Sequence, residues 1–262
     1  MLNLRITLVQ TPLVWENPPA NLERFSQILQ EVGATDLIVL PEMFTTGFSM
    51  RPAALADTMD GFTVRWMREQ AQRTGAVVCG SAMITEQGKY YNRLLWVQPD
   101  GTVLHYDKRH LFSLTGEEKV FTPGASKLIV TLNGFKICPL ICYDLRFPVW
   151  SRNRLDAAGN ADYDLLIYVA NWPERRSYAW QQLLIARAIE NQCYVVGVNR
   201  IGEDGNGISH RGDSIVLDPL GRPICQAGSR EITLCCNVYA DELKSIRKQF
   251  NFLRDGDKFE IY

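Results

Sequence analysis

Short apolar runs and period-two alternation predict strands in the first half of the chain near Leu4–Val9, Leu37–Leu40, Val77–Ile84, Leu94–Gln98, Val103–Tyr106 and Leu128–Val130. The second half adds Phe135–Ile141, Leu165–Ala170, Tyr194–Asn199, Asp213–Leu217, Pro223–Gln226 and Ile232–Val238. Leu22, Phe25, Ile28, Leu29 and Val32 recur at helical spacing after Asn17-Pro18, an N-cap followed by proline at the first helical position, and Gly33 closes that segment. Similar spacing predicts helices over 62–73, with Gly75 as its stop, 180–191 and 241–250. The order is strand, helix, strand, helix, several strands, then strand, helix, strand and more strands, with no serine-, glycine- or proline-rich linker between the halves. Leu37–Leu40 and Leu165–Ala170 are apolar throughout, as strands buried on both faces must be. We therefore expect two similar halves sharing one core over residues 1–262: an α/β, four-layer α-β-β-α sandwich forming a single domain.

Composition narrows the function. The 262 residues are 46% hydrophobic and 22% charged, enough to bury a full core. Lysine and arginine total 28 against 29 acidic residues, without a basic run or an aromatic-basic stripe, which argues against nucleic acid as a partner. Met1-Leu2-Asn3-Leu4-Arg5 leads straight into a strand, and no apolar stretch reaches membrane-spanning length, so the expectation is a cytoplasmic protein without a membrane partner.

Seven cysteines are an odd set, and six of them (Cys79, Cys138, Cys193, Cys225, Cys235 and Cys236) lie in strand-like surroundings where a reduced thiol serves as a small hydrophobe. Cys138 and Cys142 cannot bridge, since four residues of extended chain separate their Cα atoms by roughly 13 Å against a limit of about 7 Å. His105, His110 and His210 have no metal-ligand spacing, and no metal site is expected.

Cys142 differs from the other six. It ends the run Ile137-Cys138-Pro139-Leu140-Ile141 where the pattern breaks into a polar turn, a place where a sheet holds a nucleophile rigidly at the edge of a crevice. Glu42 follows the strand ending at Leu40-Pro41, and Lys108 follows the one ending at Tyr106-Asp107. A lone Cys, Glu or Lys is ordinarily core filler or a solvated charge; the signal is a thiol, a base and a cation at three strand ends.

The blocks carrying these residues are Leu40-Pro41-Glu42-Met43-Phe44, Tyr106-Asp107-Lys108-Arg109-His110-Leu111-Phe112 and Ile141-Cys142-Tyr143-Asp144-Leu145-Arg146-Phe147-Pro148. With Thr122-Pro123-Gly124, Val169-Ala170-Asn171-Trp172-Pro173 and Ala186-Arg187-Ala188-Ile189-Glu190-Asn191, they make almost the whole chain resemble the nitrilase, or carbon-nitrogen hydrolase, superfamily. That resemblance implies Glu42 as general base, Cys142 as the nucleophile that forms a thioester, and Lys108 with the backbone N–H of Tyr143 as the oxyanion site, with no cofactor. It also implies a supporting acid at Glu117, with Glu118 as its neighbour and competitor, and a homodimer. Arg187 and Glu190 stand three apart on a predicted helix and are read as a structural ion pair.

Within the superfamily these blocks look most like the omega-amidase branch. The resemblance implies a small-molecule amide substrate, a monoamide of a short dicarboxylic acid such as 2-oxoglutaramate or 2-oxosuccinamate. Its far carboxylate calls for a cation able to make paired hydrogen bonds, and Arg146, Arg175 and Arg176 are the candidates. Phe44, Phe112, Tyr143 and Trp172 are candidate pocket walls. Alternatives are another aliphatic amidase, an N-carbamoyl amine hydrolase or a nitrilase, and, in another class, a catalytically silent binding or scaffolding protein.

Overall fold

The computed structural model describes residues 2–261. Its strands, in chain order, are β1 (Asn3–Gln10), β2 (Leu37–Val39), β3 (Val77–Glu86), β4 (Lys89–Val97), β5 (Val103–Asp107), β6 (Val130–Leu132) and β7 (Phe135–Ile141). They continue with β8 (Leu165–Ala170), β9 (Tyr194–Asn199), β10 (Ile201–Glu203), β11 (Ser209–Arg211), β12 (Ile215–Leu217), β13 (Pro223–Gln226) and β14 (Ile232–Tyr239). The helices are α1 (Pro18–Gln30), the single turn α2 (Pro52–Leu55), α3 (Phe62–Thr74), the single turns α4 (Glu117–Val120) and α5 (Pro148–Ser151), α6 (Ser177–Asn191) and α7 (Ala240–Gln249).

Two six-stranded sheets form, in the orders β14-β1-β2-β3-β4-β5 and β13-β12-β9-β8-β7-β6. Each has three parallel strands, β1-β2-β3 in one and β7-β8-β9 in the other, flanked by antiparallel partners. The two halves are thus built alike. Period-two alternation sorts the first sheet's side chains: Leu4, Ile6, Leu8, Leu37, Val39, Val77, Cys79, Leu94 and Trp96 pack between the sheets. Their neighbours Val9, Ile38, Val78, Leu95 and Val97 pack beneath α1 and α3 with Phe25, Leu29, Val64 and Met67. The second sheet is covered by α6 through Trp180, Leu184 and Ala188. Gly197 permits that approach, since a Cβ there would sit 2.5 Å from Leu184 Cδ1 and 2.9 Å from Trp180 Cζ2. The layering is therefore α-β-β-α.

Local signals are realised as expected at several points. Asn17 caps α1, its side-chain oxygen accepting from Ala20 N at 3.1 Å. That helix ends at Gln30, three residues before Gly33, because the Glu31 N–H bonds back to the carbonyls of Ile28 and Leu29 and completes the cap there. Strand β4 starts at Lys89, earlier than Leu94, because the hairpin with β3 continues pairing outward to Glu86↔Lys89, past the buried segment that carries the apolar pattern. Asp213 lies outside β12, with φ at +53°. Strands β10 and β11, short and mostly exposed, carry no apolar alternation that would predict them. All seven cysteines are free thiols; Cys79, Cys138 and Cys193 are buried as expected, whereas Cys225 and Cys236 are half-buried and Cys235 is exposed. That exposure departs from the core-filler expectation and follows from strand alternation at a sheet edge. No helix among the described residues is long and apolar enough to cross a membrane.

Gly75 closes α3 in the left-handed conformation, φ +66°, with open space where a Cβ would be. A Gly75→Ala variant should lose about 1 kcal/mol of stability through backbone strain alone. Urea unfolding should show this as a lowered midpoint at unchanged slope, with turnover as in the wild type.

Candidate active site

Three strand ends converge on one point. Strand β7 stops at Ile141, and Cys142 opens a helical turn running to Arg146 with φ at +41°, a conformation that non-glycine residues adopt only where their surroundings impose it. Here they do. The buried Asp144 carboxylate accepts Ile141 N at 3.1 Å, the Tyr106 hydroxyl at 2.8 Å and His110 N at 3.1 Å, and lies 2.8 Å from His110 Nδ1. From the other side Arg187 Nη2 donates to Leu145 O at 2.6 Å. The expected Arg187–Glu190 ion pair is present at 2.8 Å, and it also braces this turn.

Glu42, three residues beyond β2, and Lys108, directly after β5, meet beside the thiol. Lys108 Nζ donates to Glu42 Oε1 at 2.9 Å and to Glu117 Oε1 and Oε2 at 3.1 and 2.9 Å, and all three side chains are fully buried. Asn92 on β4 bridges the same two carboxylates, its Nδ2 donating to Glu42 Oε1 at 2.8 Å and Glu117 Oε1 at 3.1 Å. Ser81 fixes the orientation of that amide by donating to Asn92 Oδ1 at 2.9 Å. Backbone amides complete both carboxylates: Asn171 N donates to the remaining oxygen of Glu42, Oε2, at 2.8 Å, and Phe112 N gives Glu117 Oε2 a second donor at 2.6 Å. An ammonium has three N–H donors, and the two carboxylates use two directions, leaving one for the cavity that Lys108 lines.

The electrostatics follow from burial. Taking Lys108 out of water would by itself lower its ammonium, but Glu117 and Glu42 overcome this and hold it up, so it stays charged. Burial raises the Glu117 carboxyl, with Lys108 opposing and Glu42 adding, as expected for two carboxylates that share one ammonium. Burial also pushes the Cys142 thiol well above its ordinary range; the charge of Glu42 adds to this and Lys108 opposes it. Burial therefore favours the neutral thiol, and a thiol acts as a nucleophile only with a base to take its proton. Glu42 is the adjacent carboxylate.

The cavity in front of Cys142 is lined by Lys108, Phe112, Tyr143, Arg146, Trp172 and Arg175, which brings these sequence candidates together in one place. Arg176 joins them, which brings all three candidate arginines to one site. Glu117 is the acid in contact with Lys108, whereas Glu118 is exposed. Phe44 is a correction: its ring is fully buried in the helix-side core, 5.5 Å from Phe25 and 5.8 Å from Trp66 between centroids. Met43, with φ at +43°, redirects the chain there, so Glu42 faces the site while Phe44 turns away from it. Phe48 lines the cavity instead, its ring centroid 5.1 Å from Lys108 Nζ. Sequence reasoning missed Asn92, Ser81 and Phe48. Only the placing of Asn92 and Ser81 opposite one another's neighbourhood in the β3–β4 hairpin could have pointed to that pair.

A thiol beside a carboxylate and a fixed ammonium, held at the ends of strands in a double-sheet sandwich, is the equipment of an enzyme that cleaves carbon–nitrogen bonds. The family profile described as carbon-nitrogen hydrolase matches residues 5–248. This chain belongs to that family. It is 47% identical over 263 aligned residues, covering all of both chains, to the omega-amidase YafV of Escherichia coli K12. It is 31% identical to the 2-oxoglutaramate amidase of Bacillus subtilis, over 95% of this chain and 96% of that one. Among solved structures, XC1258 from Xanthomonas campestris, described as a CN-hydrolase superfamily protein with an arsenic adduct in the active site, superposes over the full length of both chains with a TM-score of 0.98 at 44% identity.

Two expectations arise from this geometry. Asn92→Ala removes one donor from each carboxylate and leaves Ser81 without its acceptor; kcat for ammonia release should fall about ten- to a hundred-fold with KM little changed. The second concerns pH. The folded thiol of Cys142 titrates well above 9.0, the ordinary value at which an unfolded thiol releases its proton. Above that pH the unfolded state binds fewer protons, so the slope of stability with pH is negative. Stability should therefore fall more steeply in wild type than in Cys142→Ser as pH rises from about 8 to 10. Parallel denaturation curves for the two proteins across this range would refute it.

Proposed function

We propose that this chain is an omega-amidase that hydrolyses the terminal amide of short dicarboxylic acid monoamides such as 2-oxoglutaramate and 2-oxosuccinamate, releasing ammonia and a 2-oxo dicarboxylic acid. The observation carrying this reading is the buried Glu42–Lys108–Glu117 cluster beside Cys142 in a chain with full-length identity to an omega-amidase.

In this reading Glu42 takes the thiol proton as Cys142 Sγ bonds to the amide carbon. The oxygen becomes an oxyanion held by the remaining N–H of Lys108 and by the backbone N–H of Tyr143. Tyr143 stands in the first turn after β7, where amides have no intrahelical partner. Each such donor contributes about 3 to 4 kcal/mol when it is aimed at the developing charge. Glu42 returns the proton to nitrogen, the C–N bond breaks, and ammonia leaves a thioester on Cys142. Glu42 next deprotonates a water that attacks the thioester; the C–S bond breaks and the proton passes back to sulfur. Glu117 holds Lys108 throughout. Phe112, Tyr143 and Trp172 wall the acyl chain, and the arginines at the rim supply the counter-charge for its carboxylate.

We also take the chain to act as one domain over 1–262 and as a cytoplasmic homodimer. Return of β14 to pair with β1 supports the single unit. The family resemblance supports the dimer, and sedimentation at micromolar concentration tests it.

Cys142→Ala should abolish turnover in a folded protein, while Cys138→Ala should leave the chemistry unchanged. Mass spectrometry of enzyme quenched during turnover should find an acyl adduct on the Cys142 peptide, and Glu42→Gln should suppress its formation or its breakdown. Equal loss in both folded cysteine variants, or turnover without any adduct, would rule the assignment out.

A further inference from the structure

The cavity is charged unequally from its floor to its rim. At the floor Lys108 is already matched by two carboxylates. At the rim stand Arg146, Arg175 and Arg176, and none of the three has a carboxylate partner among the described residues. The one acid that lines the same cavity, Asp204, spends an oxygen on Asn206 N and Ile208 N of its own loop. A concave site with surplus guanidinium charge at one end is built for an anion.

We propose that Arg176 is the residue that selects the substrate, its guanidinium binding the far carboxylate of the ω-amide. This rests on the omega-amidase reading and names the contact that enforces it. Three observations single out Arg176. Arg146 and Arg175 are exposed, whereas Arg176 is half-buried, so it alone gives up much of its water without a partner in return. Burial and then the charge of Arg175 lower its guanidinium, as befits a cation awaiting an anion. Its placement is also fixed. Trp172 Nε1 donates to Arg176 O at 2.8 Å, Arg176 N donates to Pro173 O at 3.0 Å, and the guanidinium carbon lies 5.1 Å from the Phe112 ring centroid.

Phe112 links this clamp to the chemistry. Its backbone N–H donates to Glu117 Oε2, and Glu117 holds Lys108. The aromatic platform beneath the guanidinium and the acid that positions the ammonium therefore belong to one short segment, which sets the span between the two ends of the substrate. Arg146, which lies over Trp172 at 4.9 Å, and Arg175 add field without fixing that span. The arrangement also sets polarity. A carboxylate entering floor-first would meet Glu42 and Glu117, so only the neutral amide end reaches Cys142.

The test is kcat/KM for a five-carbon 2-oxo dicarboxylic acid monoamide and for its methyl ester, in wild type and in Arg176→Met, Arg176→Lys, Arg146→Met and Arg175→Met. Wild type should prefer the acid by about ten- to a hundred-fold. Arg176→Met should bring this ratio close to one by slowing the acid far more than the ester; a melting temperature and circular dichroism spectrum like those of the wild type certify that the variant is folded. Arg176→Lys should restore part of the preference, since a point charge replaces the two-pronged fork. The other two variants should keep most of it. If Arg176→Met still discriminates, or if Arg146→Met or Arg175→Met is the variant that loses discrimination, the assignment is overturned while the omega-amidase reading stands. Indifference of the wild type to esterification would remove that reading and the clamp together.

Discussion

An ammonium buried between two carboxylates is the interaction on which the rest of this protein depends. Removing such charges from water costs several kcal/mol per ion, and mutual attraction offsets that only where the leftover hydrogen-bonding capacity is also filled. Here every filler comes from a different part of the chain: Asn92 from β4, Phe112 N from the segment after β5, and Asn171 N from the residue after β8. Asn171 belongs to the second sheet's half, while Glu42, Asn92 and Lys108 belong to the first. The charges therefore register the two sheets against each other at the site, where apolar packing alone tolerates sliding. Asn171 Nδ2 also donates to the Glu42 carbonyl, a second tie across the same seam.

Cys142 is set by the opposite principle, strain held in place. A non-glycine residue at positive φ persists only if its neighbours over-determine it, and Asp144, Tyr106, His110 and Arg187 do so from three directions. Trp150 extends the bracing by donating to the Tyr106 hydroxyl at 3.0 Å.

Much of this was legible in the chain. The alternation in β1 to β4 and the uniformly apolar β2 and β8 dictated two packed sheets, and the breaks after Leu40, Asp107 and Ile141 placed Glu42, Lys108 and Cys142. What was not legible depends on backbone turns and cross-strand register. Phe44 sits two residues from Glu42, yet the positive φ of Met43 sends it to the other side of the sheet. Asn92 looks like an ordinary strand residue until its pairing with Met83, and its side chain's contacts with Ser81, bring it over the carboxylates. Glu117 and Glu118 are indistinguishable by type; the turn of α4 buries the first and leaves the second in solvent. The rim arginines were visible as residues, but the platform under Arg176 lies 64 positions earlier in the chain, from Phe112.

The pairing of β14 with β1, from Asn3↔Tyr239 to Gln10↔Ile232, has a consequence for biosynthesis. Strand β1 waits for a partner more than 220 residues further along the chain, β14. At about 5 to 20 residues per second, a ribosome takes on the order of ten seconds or more to deliver the partner of Leu4. For that interval β1 has an unpaired edge, and contacts so distant in sequence form slowly even after release. Until β14 arrives, β1 offers that open edge to copies of the same nascent chain.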